Sequence, residues 1–284
     1  MMKVKIGLDV EFMAKYKGQY AYPAFEKHED LEEFGCDEFG HCVEARPKAS
    51  DKRSELIHNV MDEMEQLPDG YKYYPINAVQ LPKADFFKLL KIAGDKPIST
   101  CHNIYGKDIL DDNEYEDALR KNGMRGVYCG MHIHMSTWTT QMTRLHKDKN
   151  PDGILTEVEL PVNMPYRIIT ALLDNFAFGQ LISDNDFNIG RYRSKGFYEL
   201  KTDNHFEYRS LGVTAFTPQR LSIIFDIVKH VVEHYDELFL WLYADWDAEK
   251  VPINVKILKD LASALHKTKP FYSSDLKKLW VPWR

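Results

Sequence analysis

Apolar and polar residues alternate along several segments of the chain, and this period of two predicts β-strands. The first segment, residues 6–12, places its apolar residues on one face and its polar or small residues on the other. A second long strand is predicted over residues 125–138, with the same two-sided pattern. Shorter strands are predicted over residues 41–47, 71–81, 155–160 and 204–213.

Apolar residues at a spacing of three or four predict helices between these strands. The first helix follows Ser50 and Asp51, either of which can cap its N-terminus. Because strands and helices are mixed without strict βαβ alternation, we predict an α+β fold, with a largely antiparallel sheet and helices packed on one face. The helices are predicted over residues 52–67, 84–93, 163–179, 217–240 and 255–266.

Four of the predicted strands each carry two polar or charged residues, two positions apart. Residues at that spacing project from the same face of a strand. One such pair usually marks a solvent-exposed face, but acids, histidines and arginines recurring on four strands point to a shared chemical site. The pairs are Asp9 and Glu11, Glu44 and Arg46, His132 and His134, and Glu207 and Arg209.

The residue types in these pairs suit metal and phosphate chemistry. Carboxylate oxygens with an imidazole are typical ligands of Mg²⁺ or Mn²⁺, and arginines offer paired donors to phosphate oxygens. A further basic segment, Arg191-Tyr192-Arg193-Ser194-Lys195, precedes the last strand. Metal ions and arginines together indicate phosphoryl transfer. The chain lacks the GxxxxGK[ST], GxGxxG, HExxH and GxSxG motifs, which argues against the usual nucleotide-binding loops, zinc peptidases and serine hydrolases.

Composition narrows the classes of protein to consider. The 284 residues include 37 basic and 43 acidic side chains, for a net charge of −6 with His neutral, and 44% are hydrophobic. These values are typical of a soluble globular chain and exclude a disordered or collagen-like one. The acidic balance argues against a general nucleic-acid binder, since contact with many phosphates needs excess positive charge.

The cysteines and the apolar segments indicate a cytoplasmic location. Four cysteines without a Cys-x-x-Cys pair predict no disulfide framework and favour a reducing compartment. The grouping of Cys36, His41 and Cys42 matches no common zinc spacing, so no zinc site is expected there. No apolar run is long enough to span a membrane, and the N-terminal residues do not resemble a signal peptide.

Several motifs resemble those of one known superfamily. Gly130-Met131-His132-Ile133-His134-Met135-Ser136 is similar to the G-M-H-x-H-M-S segment of glutamine synthetases. The motif order resembles that of the glutamine synthetase and glutamate–cysteine ligase superfamily. Within that superfamily, the chain is most similar to the phage-encoded amidoligases, which are also called carboxylate–amine ligases. The other motifs are Gly7 to Phe12, Gly35 to Gly40 with Glu44 to Pro47, and Arg191 to Lys195 with Glu207 to Ser210.

The resemblance implies a curved antiparallel sheet that forms half of a funnel, with helices on its outer face. It divides the chain into a catalytic domain, residues 1–240, and a C-terminal helical extension of the same domain, residues 241–284. It also implies ATP and two or more Mg²⁺ or Mn²⁺ ions as cofactors. The implied metal ligands are Asp9, Glu11, Glu44, His132 and Glu207.

The resemblance further implies roles around the nucleotide. His134 and Ser136 are expected near it, and the basic segment ending at Lys195 near its phosphates. Arg46 is expected to hold a substrate carboxylate or a phosphate, and a carboxylate near Glu44 to act as the base. The side chains expected to bind phosphate and stabilise the transferred group are Arg191, Arg193 and Arg209.

The implied reaction is ATP-dependent joining of a carboxylate to an amine through an acyl phosphate. The carboxylate is a small molecule or a peptide, and the amine is a second substrate; the sequence leaves both identities and the oligomeric state open. If the chain is phage-encoded, its cytoplasm is that of the host cell. Three alternatives stay open: a phosphotransferase on the same scaffold, a non-catalytic nucleotide-binding protein, and a metal-dependent hydrolase that uses His132 and His134.

Overall fold

In the part of the chain that the structure describes, the frame is an open, mainly antiparallel sheet of eight strands, with helices packed against it. The predicted α+β class is therefore confirmed. The computed structural model describes residues 4–36, 40–94, 102–103, 126–136, 144–146, 157–159, 164–178, 197–202, 205–243 and 251–268.

Twelve strands lie within the described residues. Two pairs, β5 with β7 and β9 with β10, form small separate sheets. The strands are β1 (Lys5–Tyr16), β2 (Gln19–Ala21), β3 (Val43–Ala45), β4 (Tyr71–Tyr74), β5 (Ala78–Gln80), β6 (His102–Asn103), β7 (Gly126–Tyr128), β8 (Gly130–Ser136), β9 (Arg144–His146), β10 (Glu157–Glu159), β11 (Phe197–Thr202) and β12 (His205–Gly212).

Seven α-helices lie between and after the strands of the described chain. A π-helix, Leu173–Ala177, directly follows the fourth of them. The α-helices are α1 (Glu29–Phe34), α2 (Arg53–Glu65), α3 (Lys83–Ala93), α4 (Met164–Leu172), α5 (Pro218–Glu233), α6 (Tyr235–Tyr243) and α7 (Ile253–His266).

The longest strand, β1, organises the main sheet because it pairs with four other strands. Its first half pairs with β8, and Val10 pairs with both Met131 of β8 and Ala45 of β3. The end of β1 pairs with β2 and β4. Beyond β8 the order continues through β12, β11 and β6. Strands β3, β1, β8 and β12 are thus neighbours.

One face of this sheet is apolar and covered by helices. The side chains that β1, β8 and β12 place on it are buried in a single core cluster with residues of α2, α4, α5 and α7. Tyr166 of α4 stacks on Phe206 of β12, with ring centroids 5.3 Å apart. Asp174 of the π-helix accepts a 2.6 Å hydrogen bond from Tyr208. The opposite face of the same strands is therefore left to the polar side chains.

A β-bulge in β12 keeps its two faces distinct. Tyr208 pairs with Ile133, but the next pair is Leu211 with Met131, so two residues lie opposite one. Without this extra residue, Leu211 would project on the same side as Glu207 and Arg209, because residues two apart share a face. The bulge instead places Leu211, which is fully buried, in the core.

The structure corrects three predictions about single elements. The strand over residues 125–138 is broken at Cys129, whose N–H donates to Asn77 O at 3.0 Å and whose carbonyl accepts from Val213 N at 3.3 Å. The helix over residues 217–240 is broken at His234, where φ is −133° and Asn254 of α7 contacts the ring. Helix α2 begins after Lys52, since Ser50 Oγ accepts from Lys52 N outside the helix.

Helix α7 packs on α5, and its apolar residues belong to the same core cluster as the sheet. His230 of α5 contacts the Asn254 carbonyl of α7 at 2.8 Å. Residues 244–250 and 269–284 lie outside the described residues, so the division at residue 240 stays a prediction. Among the helices that the structure describes, none combines the length and apolar character needed to cross a membrane.

Candidate functional site

Seven of the eight residues in the four polar pairs lie on the neighbouring strands β3, β1, β8 and β12, and Arg46 directly follows β3. Directly paired residues in an antiparallel sheet share a face, and the sheet register joins the pairs to one another. We call this surface the polar face. Its paired positions are Glu11 with Glu44, Asp9 with His132, and His134 with Glu207.

His132 lies at the centre of the polar face and is 2% exposed. Its Nδ1 is 2.8 Å from Glu207 Oε1, and its Nε2 is 3.8 Å from Glu11 Oε1. Because a carboxylate can only accept, the shorter contact requires that Nδ1 carries the hydrogen. Burial lowers the pKa of His132, and the charge of Arg209 lowers it further. Glu11 and Glu207 raise the pKa but do not outweigh these two effects. The neutral ring therefore presents a lone pair on Nε2.

Glu11 is buried beside His132 and is held by the backbone. Its Oε2 accepts a 2.7 Å hydrogen bond from Gly130 N, at the first residue of β8. Its Oε1 faces His132 Nε2, an atom that has no hydrogen-bond partner within the part of the chain that the structure describes. A buried imidazole lone pair beside a buried carboxylate is a common arrangement of metal ligands.

Asp9 and His134 form a second contact on the polar face. His134 Nε2 is 2.8 Å from Asp9 Oδ2, and His134 Nδ1 is 2.7 Å from His205 Nε2. Burial disfavours ionisation of Asp9, but the hydrogen bond and charge of His134 outweigh it and lower the pKa of Asp9. Gly7 pairs with His134, and a Cβ there would lie 3.4 Å from His134 Cβ. This small residue leaves room for the imidazole.

Glu44 is fixed by its backbone and surrounded by acids. Its N–H donates to Gly35 O at 3.1 Å, and Gly35, at φ +142°, lies so close that a Cβ would be 2.6 Å from Glu44 O. Burial raises the pKa of Glu44 to about 8, and Glu11 and Asp9 add to this. Arg46 donates a hydrogen bond to Glu44 Oε2 and lowers the pKa of Glu44, but by less than burial and the two acids raise it.

Arg209 is buried at the other end of the polar face, between two carboxylates. Its Nη1 is 2.6 Å from Glu199 Oε2 and 3.3 Å from Glu207 Oε1. Burial disfavours ionisation of Glu207, but His132 and Arg209 outweigh it and hold the pKa of Glu207 well below its usual value. The Arg209 guanidinium therefore sits beside the candidate ligands, already oriented.

Two groups of side chains on the polar face could hold a metal ion. Within each group, one donor atom per residue lies within 4.8 Å of the others, and both groups include Asp9. Carboxylates with a neutral imidazole fit Mg²⁺ or Mn²⁺. The raised pKa of Glu44 reflects uncompensated negative charge that a divalent cation would neutralise. The groups are Asp9, Glu44 and His132, and Asp9, His134 and Glu207.

Most of the predicted site residues come together, though some in other positions than expected. Ser136 pairs with Lys5 and His205 at the end of β8. His134, expected near the nucleotide, contacts Asp9 and belongs to a candidate metal group. Arg46 pairs with Glu44, and its side chain is 58% exposed. Three residues lie outside the described residues, and their roles stay predictions: Arg191, Arg193 and Lys195.

Sequence reasoning missed two members of the polar face. Glu199 of β11 pairs with Glu207 and binds Arg209. His205 pairs with Ser136 and contacts His134. A signal for both existed, since Tyr198 and Leu200 flank Glu199 in strand-like alternation and Asp203-Asn204 is a turn-type pair. A predicted hairpin whose second strand begins at residue 205 would have placed Glu199 and His205 beside the other polar residues.

Comparisons with known proteins do not assign the chain to a family. No protein-family model matches it, and no curated protein matches it significantly.

Proposed function

We propose that this protein is an ATP-dependent carboxylate–amine ligase that uses two or more Mg²⁺ or Mn²⁺ ions. The observation that carries the proposal is the polar face, where buried acids and imidazoles of four neighbouring strands meet beside a buried arginine. The motif order supports the same conclusion. The proposal includes the glutamine-synthetase-like half-funnel that this motif order implies.

Asp9, Glu44 and His132 would hold one ion, and Asp9, His134 and Glu207 a second. When bound, such ions neutralise the charge of ATP phosphates and of the acidic side chains around them. Glu11 belongs to neither group; it lies against His132 Nε2, with Gly130 N–H fixing its other oxygen. It would complete the ligands of the first ion.

The first step transfers the γ-phosphoryl group of ATP. An oxygen of the substrate carboxylate attacks the γ-phosphorus, the bond to the β-phosphate oxygen breaks, and ADP and an acyl phosphate form. Arg209 lies 3.3 Å from Glu207 and can donate to phosphoryl oxygens as their charge changes. Arg191, Arg193 and Lys195 would contribute to the same clamp.

The second step forms the amide. The amine nitrogen attacks the acyl carbon, the bond from that carbon to the phosphate oxygen breaks, and inorganic phosphate leaves. The amine proton passes to a base. We assign this role to a carboxylate near Glu44; the pKa of about 8 that Glu44 has without metal does not apply when it is a ligand of the ion.

The test is a screen for ADP release across carboxylic acids and amines, with the product identified by mass spectrometry. We expect an amide, ADP and phosphate in equal amounts, and no ADP without Mg²⁺ or Mn²⁺. Asp9→Asn should reduce turnover at least about a hundredfold, because Asp9 belongs to both candidate metal groups. Asp226→Asn is the matched control, since Asp226 lies on α5, outside both candidate metal groups, and pairs with Arg53 of α2.

Other products would contradict the proposal in distinct ways. ADP with a phosphorylated acceptor would indicate a phosphotransferase. Cleavage of a substrate without ATP would indicate a hydrolase, although His132 and His134 belong to different candidate metal groups. A protein that binds ATP without turnover, with the same affinity in Asp9→Asn and Glu207→Gln, would be a binding protein that does not use these two metal ligands.

A further inference from the structure

We propose that His41, Cys42 and Cys129 form a second, separate metal site that binds Zn²⁺. The three residues are all buried, and one donor atom from each lies within 4.8 Å of the others. None of them belongs to either group of ligands on the polar face. The grouping differs from that of Cys36, His41 and Cys42 considered from sequence spacing, because folding replaces Cys36 by a cysteine remote in the chain.

Two segments of the fold bring the cluster together. His41 and Cys42 follow Gly40, whose φ is +66° and whose carbonyl accepts from Ala24 N at 3.2 Å. Cys129 occupies the single position between β7 and β8, held by its backbone bonds to Asn77 and Val213. Both segments are thus fixed by backbone contacts that do not involve the thiols or the imidazole.

The spacing of the donor atoms suits a tetrahedral ion. Zn–S and Zn–N bonds of about 2.3 and 2.1 Å place tetrahedral ligands about 3.5–3.8 Å apart. The upper bound of 4.8 Å on the donor separations leaves a contraction of at most about 1.3 Å, which side-chain rotations provide. The cluster gives three of four ligands, and water can take the fourth position.

The chemistry of the donors selects a soft metal rather than Mg²⁺. Two thiols and an imidazole are typical of zinc sites, whereas Mg²⁺ prefers oxygen. The thiolate is the ligand form of cysteine.

The cluster adjoins the polar face through two short stretches of chain. Cys129 precedes Gly130, whose N–H holds Glu11, and Cys42 lies two residues before Glu44. A zinc ion at the cluster would tie the start of β8 to the start of β3 and so fix the spacing between Glu11 and Glu44. Its role is therefore to position the polar face, without contact with substrate.

The experiment measures zinc directly, without ATP or any substrate. The full chain is stripped with chelator, dialysed against Zn²⁺ and analysed by mass spectrometry for bound metal; Co²⁺ is titrated in parallel and followed by its thiolate charge-transfer absorption in the near ultraviolet. We expect a thiolate band in the wild type, and one bound ion per chain more than in the cluster variants, since the polar face can also take Zn²⁺. Cys42→Ala and Cys129→Ala should weaken binding by about tenfold or more. Cys36→Ala, a cysteine outside the cluster, should bind as the wild type does.

The wild-type result decides the matter even if a cluster variant fails to fold. A wild type that binds no Zn²⁺ after dialysis, or that binds Co²⁺ without the thiolate band, would overturn the proposal. Equal binding by wild type, Cys42→Ala and Cys129→Ala would also overturn it. Because the readout needs neither Mg²⁺ nor nucleotide, zinc binding can succeed where the proposed ligase activity fails, and the reverse.

Discussion

Glu44 is the residue on which the crowding of acids has its largest electrostatic effect. It is 7% exposed, and its pKa rises from 4.5 to about 8 because burial, Glu11 and Asp9 all disfavour the charged form. A carboxyl group with a raised folded-state pKa favours folding most when it is protonated. Its contribution is fully present below about pH 4.5 and is lost as the pH rises through about 8.

This predicts a specific pH dependence for the protein in chelator. As the pH rises from about 4.5 to 8, the wild type should lose stability relative to Glu44→Gln, so the variant's free energy of unfolding should exceed that of the wild type by an increasing amount. The difference should total a few kcal/mol, since one pKa unit corresponds to about 1.4 kcal/mol. Urea unfolding at several pH values measures the difference.

The matched control is Glu55→Gln, because Glu55 is exposed on the first turn of α2. Its difference from the wild type should stay flat over the same pH range. A flat difference for Glu44→Gln as well would show that the acids around residue 44 do not interact as the structure implies.

Single residues also show how far sequence reasoning reaches. Polar residues two apart could be assigned to one face from strand periodicity alone, and the structure brings Asp9, His132 and Glu207 together on that face. Their partners could not be assigned in the same way. Glu199 binds Arg209 because β11 pairs with β12, and that pairing can be inferred only by combining the alternation around Glu199 with the turn-type pair Asp203-Asn204.

At the scale of elements, the turn that enters β3 depends on Gly40. Its φ of +66° disfavours other residues, and an added Cβ would lie 2.4 Å from Ala24 Cβ. Gly40→Ala should lower the free energy of unfolding by about 2–5 kcal/mol, as the sum of a left-handed conformation and an overpacked contact. Thermal or urea unfolding measures the loss.

Gly18→Ala separates the two causes. Gly18 has φ +84°, but nothing lies within 4 Å of an added Cβ. It should therefore lose only about 1–2 kcal/mol, the part due to backbone conformation. An equal loss in both variants would mean that Ala24 moves aside without penalty.

Two of the breaks that the sequence did not predict share a physical cause. The breaks at Cys129 and at His234 carry neither Gly nor Pro, and each is fixed by tertiary contacts instead. The bulge in β12, in contrast, could be read from the sequence. Strict alternation would place the apolar Leu211 on the same face as the charged Glu207 and Arg209. That conflict was a readable sign that the register shifts before Leu211.

At the scale of the whole molecule, bound metal should stabilise the fold. Any ligand that binds only the folded state adds RT ln(1 + [L]/Kd), about 2.7 kcal/mol at a hundred times Kd. For a chain of this size, we expect Mg²⁺ or Mn²⁺ to raise the Tm by several degrees over chelator. The increase should be larger at pH 8 than at pH 6, because ionised Glu44 is the form that binds metal.

Differential scanning calorimetry of the wild type and of His132→Asn measures this shift. The variant should lose most of it, since His132 offers the Nε2 lone pair to the first candidate ion. His58→Asn is the control, because His58 is exposed on α2 and pairs with Asp62 of the same helix. An equal Tm increase in all three proteins would place the metal elsewhere.

The separation of β1 and β8 along the chain has a consequence for its synthesis. Asp9 and its partner His134 are 125 residues apart. A ribosome that adds about 5–20 residues per second therefore needs about 6–25 s to make β8 after β1 has emerged. During that time the edge of β1 that pairs with β8, which includes Ile6, Leu8 and Val10, has no partner strand. We expect nascent-chain chaperones to hold this segment until the strand arrives.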